Sequence, residues 1–279
     1  MQREVCAETT TPVVAQTFDN SSTHIMGILN VTPDSFSDGG KYNSIDSALR
    51  QTEQMINDGA AIIDIGGEST RPGYTMISDE EEIERVVPVI HAVKDRFDIP
   101  VSIDTYKSAV AYAALEAGAD MLNDIWGLKY DIRCADAVVK HNACVCLMHN
   151  RANTEYNDFI NDVISDLNES AELALSAGIA ADRIILDPGV GFAKTLDQNL
   201  IITNNLEKLH CLGYPILLGA SRKSMIGLTL DLPREERVEG TIATSVIACM
   251  KKAMFVRVHD VKENYRAVKM ALAILKSGS

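Results

Sequence analysis

Short apolar runs that close in polar residues recur along this chain. They are Ile25–Asn30, Ala61–Ile65, Val101–Asp104, Met121–Asp124, Ala143–His149, Ile184–Asp187, Ile216–Gly219 and Phe255–His259. Runs of this length, apolar at consecutive positions, predict strands buried on both faces. Longer stretches with apolar residues at helical spacing separate most of them. Several helix ends can be read directly. Ser44 predicts the cap of a helix reaching Asp58, with Gly59 as its stop. Ser78 with Glu81 predicts a capping box ahead of Ile83, Val86, Val87 and Ile90, and Pro88 predicts a kink in that helix. Asp260 with Glu263 predicts the start of a last helix with Val268, Ala271, Leu272 and Leu275 on one face.

A smaller repeat orders these elements. Helix, Gly and strand follow one another in Asp58-Gly-Ala-Ala, Ala117-Gly-Ala-Asp and Ala177-Gly-Ile-Ala, and Gly takes the left-handed position after a helix cheaply. The pattern predicts an α/β chain folded as a single-domain (β/α)8 TIM barrel, with residues 1–24 an irregular tail and 25–279 the barrel. An open doubly wound sheet is the alternative. It usually carries a Gly-rich dinucleotide fingerprint after its first strand, and none stands there. Active sites of such barrels are built at the C-terminal ends of the strands, so the residues that close the runs are the candidates for chemistry.

Composition agrees. The 279 residues leave, beyond the tail, close to the roughly 250 typical of one barrel. Hydrophobic content is 46 % and aromatic content only 5 %, which suits strands built from aliphatic residues. A net charge of −13 offers no basic surface to nucleic acid or an anionic membrane, although a small anion in a locally basic pocket stays open. The cysteines (Cys6, Cys134, Cys144, Cys146, Cys211, Cys249) form no CxxC pair. Cys144 and Cys146 share a strand face, and buried thiols are the expectation. No run of 18 apolar residues occurs, and residues 1–24 lack a secretory apolar stretch, so a cytoplasmic, reduced protein without a membrane partner is expected.

The loops after the runs carry the candidate groups. Asn30-Val-Thr-Pro-Asp-Ser-Phe-Ser-Asp-Gly-Gly40 is a polar loop suited to closing over a substrate. Asp64-Ile-Gly-Gly-Glu-Ser-Thr-Arg-Pro-Gly73 joins close-approach glycines to the hydroxyls of Ser69 and Thr70 and the Arg71 fork. Asp104, Asn123 and Asp187 close three strands, and converging acceptors of this kind fit a flat heterocycle with a guanidine-like edge; capping of the next helices is the other use of such residues. Asp187-Pro-Gly-Val-Gly-Phe-Ala-Lys-Thr195 fails the spacing of a nucleotide phosphate loop, which leaves Phe192 as an apolar wall. Ser221, Arg222, Lys223, Arg257 and His259 follow the last two strands and bring hydroxyl and positive groups to the place where these barrels often hold phosphate, which predicts an anion site. No catalytic triad, HExxH or zinc spacing of His is present, and Asp and Asn oxygens favour Mg²⁺ if a metal binds.

Jointly, Leu-Asn-Val-Thr-Pro-Asp-Ser-Phe-Ser-Asp-Gly-Gly, Ile-Gly-Gly-Glu-Ser-Thr-Arg-Pro-Gly, Ser-Ile-Asp-Thr, Asn-Asp-Ile, Asp-Pro-Gly-Val-Gly-Phe, Ser-Arg-Lys-Ser and Arg-Val-His-Asp-Val resemble the motifs of the dihydropteroate synthase family, from about Ile25 to the C-terminus. The resemblance implies a homodimeric barrel that condenses p-aminobenzoate with 6-hydroxymethyl-7,8-dihydropterin pyrophosphate and releases pyrophosphate. It implies Asp104, Lys223 and Arg257 as catalytic residues. The pterin pyrophosphate falls to Thr70, Asp104, Asn123, Asp187, Lys223, Arg257 and His259, and Mg²⁺ to Asn30. The p-aminobenzoate falls to Phe36, Thr70, Arg71, Pro72, Phe192, Ser221 and Lys223. Two departures stand out: Ala193 occupies a position usually held by Gly, and Asn-Arg-Ala-Asn after His149 is shorter than in many relatives. The related readings are a pterin-binding methyltransferase, which has no need of the Asn30–Gly40 loop, and a non-catalytic pterin-binding paralogue, which would have lost loop or anion-site residues.

Overall fold

In the computed structural model, which describes residue 18 and residues 22–31, 40–68 and 76–277, every apolar run forms a strand. These are β1 His24–Asn30, β2 Ile62–Gly66, β3 Val101–Asp104, β4 Met121–Asp124, β5 Cys144–Met148, β6 Ile184–Asp187, β7 Leu217–Leu218 and β8 Phe255–Val258. They pair in parallel in the order β6, β5, β4, β3, β2, β1, β8, β7. A parallel bridge from Leu186 to Ile216 joins β6 to the entry of β7 and closes the ring. The barrel is therefore the architecture, and the open sheet is excluded.

The helices are α1 Gly40–Asn57, α2 Asp79–Arg96, α3 Ser108–Glu116, α4 Arg133–His141, α5 Phe159–Ser176, α6 Leu196–Asn204, α7 Ser224–Leu230, α8 Val238–Met250 and α9 Val261–Lys276. Alternate strand residues divide between two cores. Ile25, Leu29, Ile63, Ile65 and Ile103 belong to the core between strands and helices. Met26, Ile62, Met121, Cys144, Cys146 and Phe255 fill the barrel interior, where Phe18 packs edge-on against Phe255 with ring centroids 5.0 Å apart. Cys134 and Cys249 are also buried, whereas Cys211 is exposed, against expectation; Cys6 lies outside the described residues. No helix among the described residues is long and apolar enough to cross a membrane.

Helix starts differ from expectation at α1, and the capping bonds differ at α2 and α9, where a polar side chain has another partner. α1 starts at Gly40, so Ser44 lies inside it. Ser78 caps α2 and accepts from the Glu81 backbone N–H at 3.2 Å, but Glu81 turns its carboxylate to Arg85, leaving half a capping box. The reciprocal box occurs at α6, between Thr195 and Gln198. Asp260 precedes α9 without capping it, because its carboxylate is held by Arg222. On α9, Val268 and Ala271 are buried as expected, but Leu275 is exposed.

Gly59, Gly118 and Gly178 take φ values of +104°, +105° and +97°, so the helix–Gly–strand repeat is a repeated left-handed reversal. At Gly59 the constraint is double, because a Cβ there would lie 2.5 Å from the Tyr265 ring of α9. Gly213, at φ +79°, would carry a Cβ with nothing within 4 Å. Gly213→Ala should therefore cost only backbone strain, about 1–2 kcal/mol. Gly59→Ala should cost measurably more in urea unfolding. Equal losses for the two variants would show that the Tyr265 contact does not constrain the reversal.

Candidate active site

Towards the strand ends the interior becomes charged. Asp64 is wholly buried midway along β2. Arg257, on β8, donates from Nε to Asp64 Oδ2 and from Nη2 to Asp104 Oδ2, each at 2.6 Å. Asn123 Nδ2 makes a long contact of 3.5 Å with the same Asp64 oxygen. Burial opposes charge on Arg257, but the two carboxylates outweigh it and hold its pKa above the ordinary range. Burial also pushes Asp104 up to about 7; Arg257 opposes that rise and the Asp64 charge adds to it. Among the described residues, Asp64 Oδ1, Asp104 Oδ1 and Ser102 Oγ have no hydrogen-bond partner. Buried acceptors are normally paired, so this end of the barrel is built to receive N–H donors.

Asp187 and Lys223 complete the polar floor. A Cβ at Gly219 would lie 3.5 Å from Asp187 Oδ2, 3.7 Å from Lys223 Nζ and 4.0 Å from Arg257 Cβ, so these groups converge on the bare backbone after β7. Asp187 Oδ1 accepts from the Gly189 N–H at 2.7 Å. Burial raises the Asp187 pKa against the pull of Lys223. Burial lowers Lys223 to about 8, with Asp187 opposing. Lys223 Nζ donates to Val190 O at 2.5 Å and lies 4.7 Å from the centre of the Phe192 ring. Tyr106, Ile125 and Met148 form an apolar cluster that Trp126 and Phe192 join, giving a heterocycle a greasy wall beside its polar floor.

Ser221 and His259 meet beside this floor. The His259 backbone N–H donates to Ser221 Oγ at 3.1 Å, and the hydroxyl lies 3.0 Å from His259 Nδ1. When the hydroxyl, which accepts from the backbone, gives its own proton to Nδ1, the ring N–H stands on Nε2. Burial, with the Arg257 and Arg222 charges, depresses His259 to about 3. His259 is thus a neutral donor, a correction to counting it among the positive groups. Arg222 is a second correction: its guanidinium is paired with Asp260, and its backbone sits at φ +56°. It braces the loop after β7.

Of the expected site residues, Asp104, Asn123, Asp187, Lys223, Arg257, Ser221, His259 and Phe192 come together at this mouth. Phe36, Thr70, Arg71 and Pro72 lie outside the described residues. Asn30 closes β1, with Asn30 Oδ1 4.0 Å and Asp104 Oδ2 3.9 Å from where a Gly66 Cβ would be. Among the described residues no group of three or more His, Cys, Asp or Glu could hold a metal. A cation bound mainly by phosphate oxygens and water needs only one or two protein oxygens. The Asn30 amide fits that use.

Asp64 is the functional residue missed from sequence. The available signal was a charge at an inward position two residues before the run's end, in Ile62-Ile-Asp-Ile-Gly66. Ala193, the departure noted above, adopts φ +45°, a conformation that favours Gly, and its carbonyl accepts from Tyr156 Oη at 2.8 Å.

The family model described as pterin binding enzyme matches residues 26–259. A dihydropteroate synthase of Clostridium beijerinckii is 62 % identical over 91 % of this chain and 95 % of its own length. A crystal structure of dihydropteroate synthase from Clostridium difficile in the presence of pteroic acid has a TM-score of 0.90 and 48 % identity, covering 94 % of this chain and 99 % of that one. A Yersinia pestis dihydropteroate synthase in complex with a sulfonamide drug has a TM-score of 0.87 and 44 % identity, over 93 % and 96 % of the two chains.

The raised pKa of Asp104 sets a sign for stability. Between its ordinary value of 3.8 and about 7 the folded state holds a proton that the unfolded chain releases. That contribution is complete below the ordinary value and is lost as pH rises through about 7. Asp104→Asn mimics the protonated group. The stability of wild type relative to Asp104→Asn should therefore fall from pH 4 to pH 7 by at most about 1.4 kcal/mol per pH unit, then level off. A difference that rises over this range in urea titrations would contradict the assignment.

Proposed function

Because the chain belongs to the pterin-binding enzymes and, within them, to the dihydropteroate synthases, we propose that this barrel mouth divides one condensation among a heterocycle floor, an anion site and an arylamine wall. The protein is a transferase of folate biosynthesis, joining p-aminobenzoate to 6-hydroxymethyl-7,8-dihydropterin pyrophosphate with release of pyrophosphate. The observation that carries the division is the convergence of unpartnered buried acceptors with Arg257, Lys223 and a donor histidine in one mouth.

Asp187, Asn123 and Asp104 receive the N–H and ring-nitrogen edge of the pterin, while the cluster around Met148 and Ile125 covers its face. Arg257 pairs with the Asp64 and Asp104 carboxylates beneath the ring and presents the rest of its fork to the pyrophosphate with His259 Nε2–H. Lys223 stands between pterin and arylamine, its ammonium over Phe192, with Ser221 nearby. Phe36, Thr70, Arg71 and Pro72 complete the arylamine side. Asn30 would hold a Mg²⁺ ion, which would supply positive charge against the leaving pyrophosphate.

The bond from the pterin methylene to the pyrophosphate oxygen breaks with its electron pair on oxygen. The arylamine nitrogen forms the new bond to that carbon and loses a proton. Charge that builds on the departing anion is met by Arg257 and His259, fixed before the reaction begins, as electrostatic catalysis requires. Asp104, near neutrality, holds or takes a proton as charge develops on the ring. No protein nucleophile is needed, in keeping with the missing triad. A homodimer is part of the proposal: α8 and α9 pack together and leave Ile247, Met250, Met270 and Ile274 exposed. A cytoplasmic location accords with an acidic chain and its free thiols.

Pyrophosphate release should require the pterin pyrophosphate, p-aminobenzoate and Mg²⁺ together. In calorimetry, Asp187→Asn should weaken binding of the pterin alcohol about tenfold or more, the value of a charge-assisted bond of roughly 1.5–3 kcal/mol. Unchanged pterin affinity in a folded variant would remove Asp187 from the floor, and release of pyrophosphate without p-aminobenzoate would contradict the condensation.

A further inference from the structure

The Phe192 wall is part of a loop whose shape is not one that its sequence would choose freely. Between Asp187 and Lys194, Gly189, Gly191 and Ala193 all take positive φ, at +69°, +85° and +45°. A Cβ at Gly189 would lie 2.0 Å from His149 O, so the turn presses directly on the end of β5. This conformation directs several carbonyls away from the helical ladder, and each needs a donor. Val190 O is taken by Lys223, and Ala193 O by Tyr156.

Two further carbonyls, Phe192 O and Gly189 O, the latter also taking the Phe192 N–H, go to one half-buried side chain. Lys194 Nζ donates to Gly189 O at 3.1 Å and to Phe192 O at 3.1 Å, and it lies 2.8 Å from His149 Nδ1. An ammonium has three protons and no lone pair, so His149 accepts at Nδ1 and carries its own proton on Nε2. That proton points at Asp166 Oδ2, 2.9 Å away, an oxygen also bound by Arg151 Nε at 2.5 Å. The tautomer thus follows from the partners on both ring nitrogens. Asn199 grips the same loop from α6: its Oδ1 accepts from the Gly191 N–H at 2.7 Å, and its Nδ2 donates to Lys194 O and Thr195 O. All three donors of Lys194 face inward on loop and histidine.

We propose that Lys194 is a positioning residue for the arylamine acceptor: by binding Gly189 O, Phe192 O and the neutral His149 ring, it fixes the loop that carries the Phe192 ring and the Val190 carbonyl against Lys223. Lys194 acts through these two groups and touches neither substrate. The inference rests on the reading of Phe192 and Lys223 as the arylamine side of the site. Its signature is a graded loss: Asp104, Asn123, Asp64 and Arg257 are joined to one another away from the Lys194 network, and the pterin floor meets that network only on its Asp187–Lys223 side, where Asp187 Oδ1 accepts from the Gly189 N–H.

Steady-state kinetics with both substrates, with calorimetry for the pterin alcohol, tests it. Lys194→Met keeps the aliphatic stem and removes the donors. Its KM for p-aminobenzoate should rise by about tenfold or more, as small misplacements of a reacting partner do, while pterin alcohol affinity falls by a clearly smaller factor, because only Asp187 of the pterin floor is bonded to this loop. Lys194→Gln retains an N–H₂ able to serve two carbonyls and should recover part of the loss; it also serves if Lys194→Met fails to fold. Phe192→Ala is the control for the underlying reading. If Phe192→Ala leaves the p-aminobenzoate KM unchanged, the assignment of the arylamine wall is wrong. If Phe192→Ala raises that KM but neither Lys194 variant does, or if both variants lower pterin and p-aminobenzoate binding equally, the positioning role of Lys194 is overturned.

Discussion

Everything at the mouth of this barrel depends on one buried cation. Arg257 reaches across the interior to Asp64 and Asp104, carboxylates supplied by two other strands. Without it two carboxylates would stand close together away from water, an arrangement proteins avoid by protonation or rearrangement. With it both stay in the upper barrel interior, Asp104 at its strand end and Asp64 one layer below, each leaving an acceptor oxygen without a partner among the described residues. Buried ion pairs seldom add net stability over apolar packing. Their value in this position is placement: the polar floor of a binding site is held open inside an apolar barrel.

The other parts of the site are arranged around that hub by the same rule that buried polar groups must be satisfied. Lys223 is held by Val190 O, His259 by Ser221, and Arg222 by Asp260. Among the described residues, the donors at the mouth each have a fixed partner, so an acidic protein presents Arg257, Lys223 and His259 as oriented donors instead of a diffuse field. A preorganised patch suits a reaction whose main event is departure of a highly charged anion. A second buried cluster, in which Lys107 bonds Glu68 at 2.7 Å and Ile77 O at 2.9 Å, ties the start of the loop after β2 to its end.

The fold was legible because both strand faces are buried, so the apolar runs stand out without competing patterns. Strand closers such as Asp104, Asn123 and Asp187 were legible for the same reason: a polar residue ending such a run has few other uses. What failed to show was any assignment set by a distant partner. Arg222 looked like an anion ligand, but it is neutralised by Asp260, 38 residues away in sequence. That same pairing takes Asp260 away from capping α9. His259 looked cationic, and burial beside Arg257 makes it neutral. Asp64 was hidden one layer below the strand end, where sequence alone gives no sign of the guanidinium that meets it.

The dependence on Arg257 is tested most directly by comparing its loss with and without the carboxylates it serves. Arg257→Met alone should destabilise the protein by about 3–5 kcal/mol in urea unfolding at pH 8, because it leaves buried charge uncompensated. Adding Asp64→Asn and Asp104→Asn to the same chain should restore most of that stability, though not activity. If the triple variant is less stable than Arg257→Met by the sum of the separate losses, the three groups do not form one coupled unit and the account of the site fails.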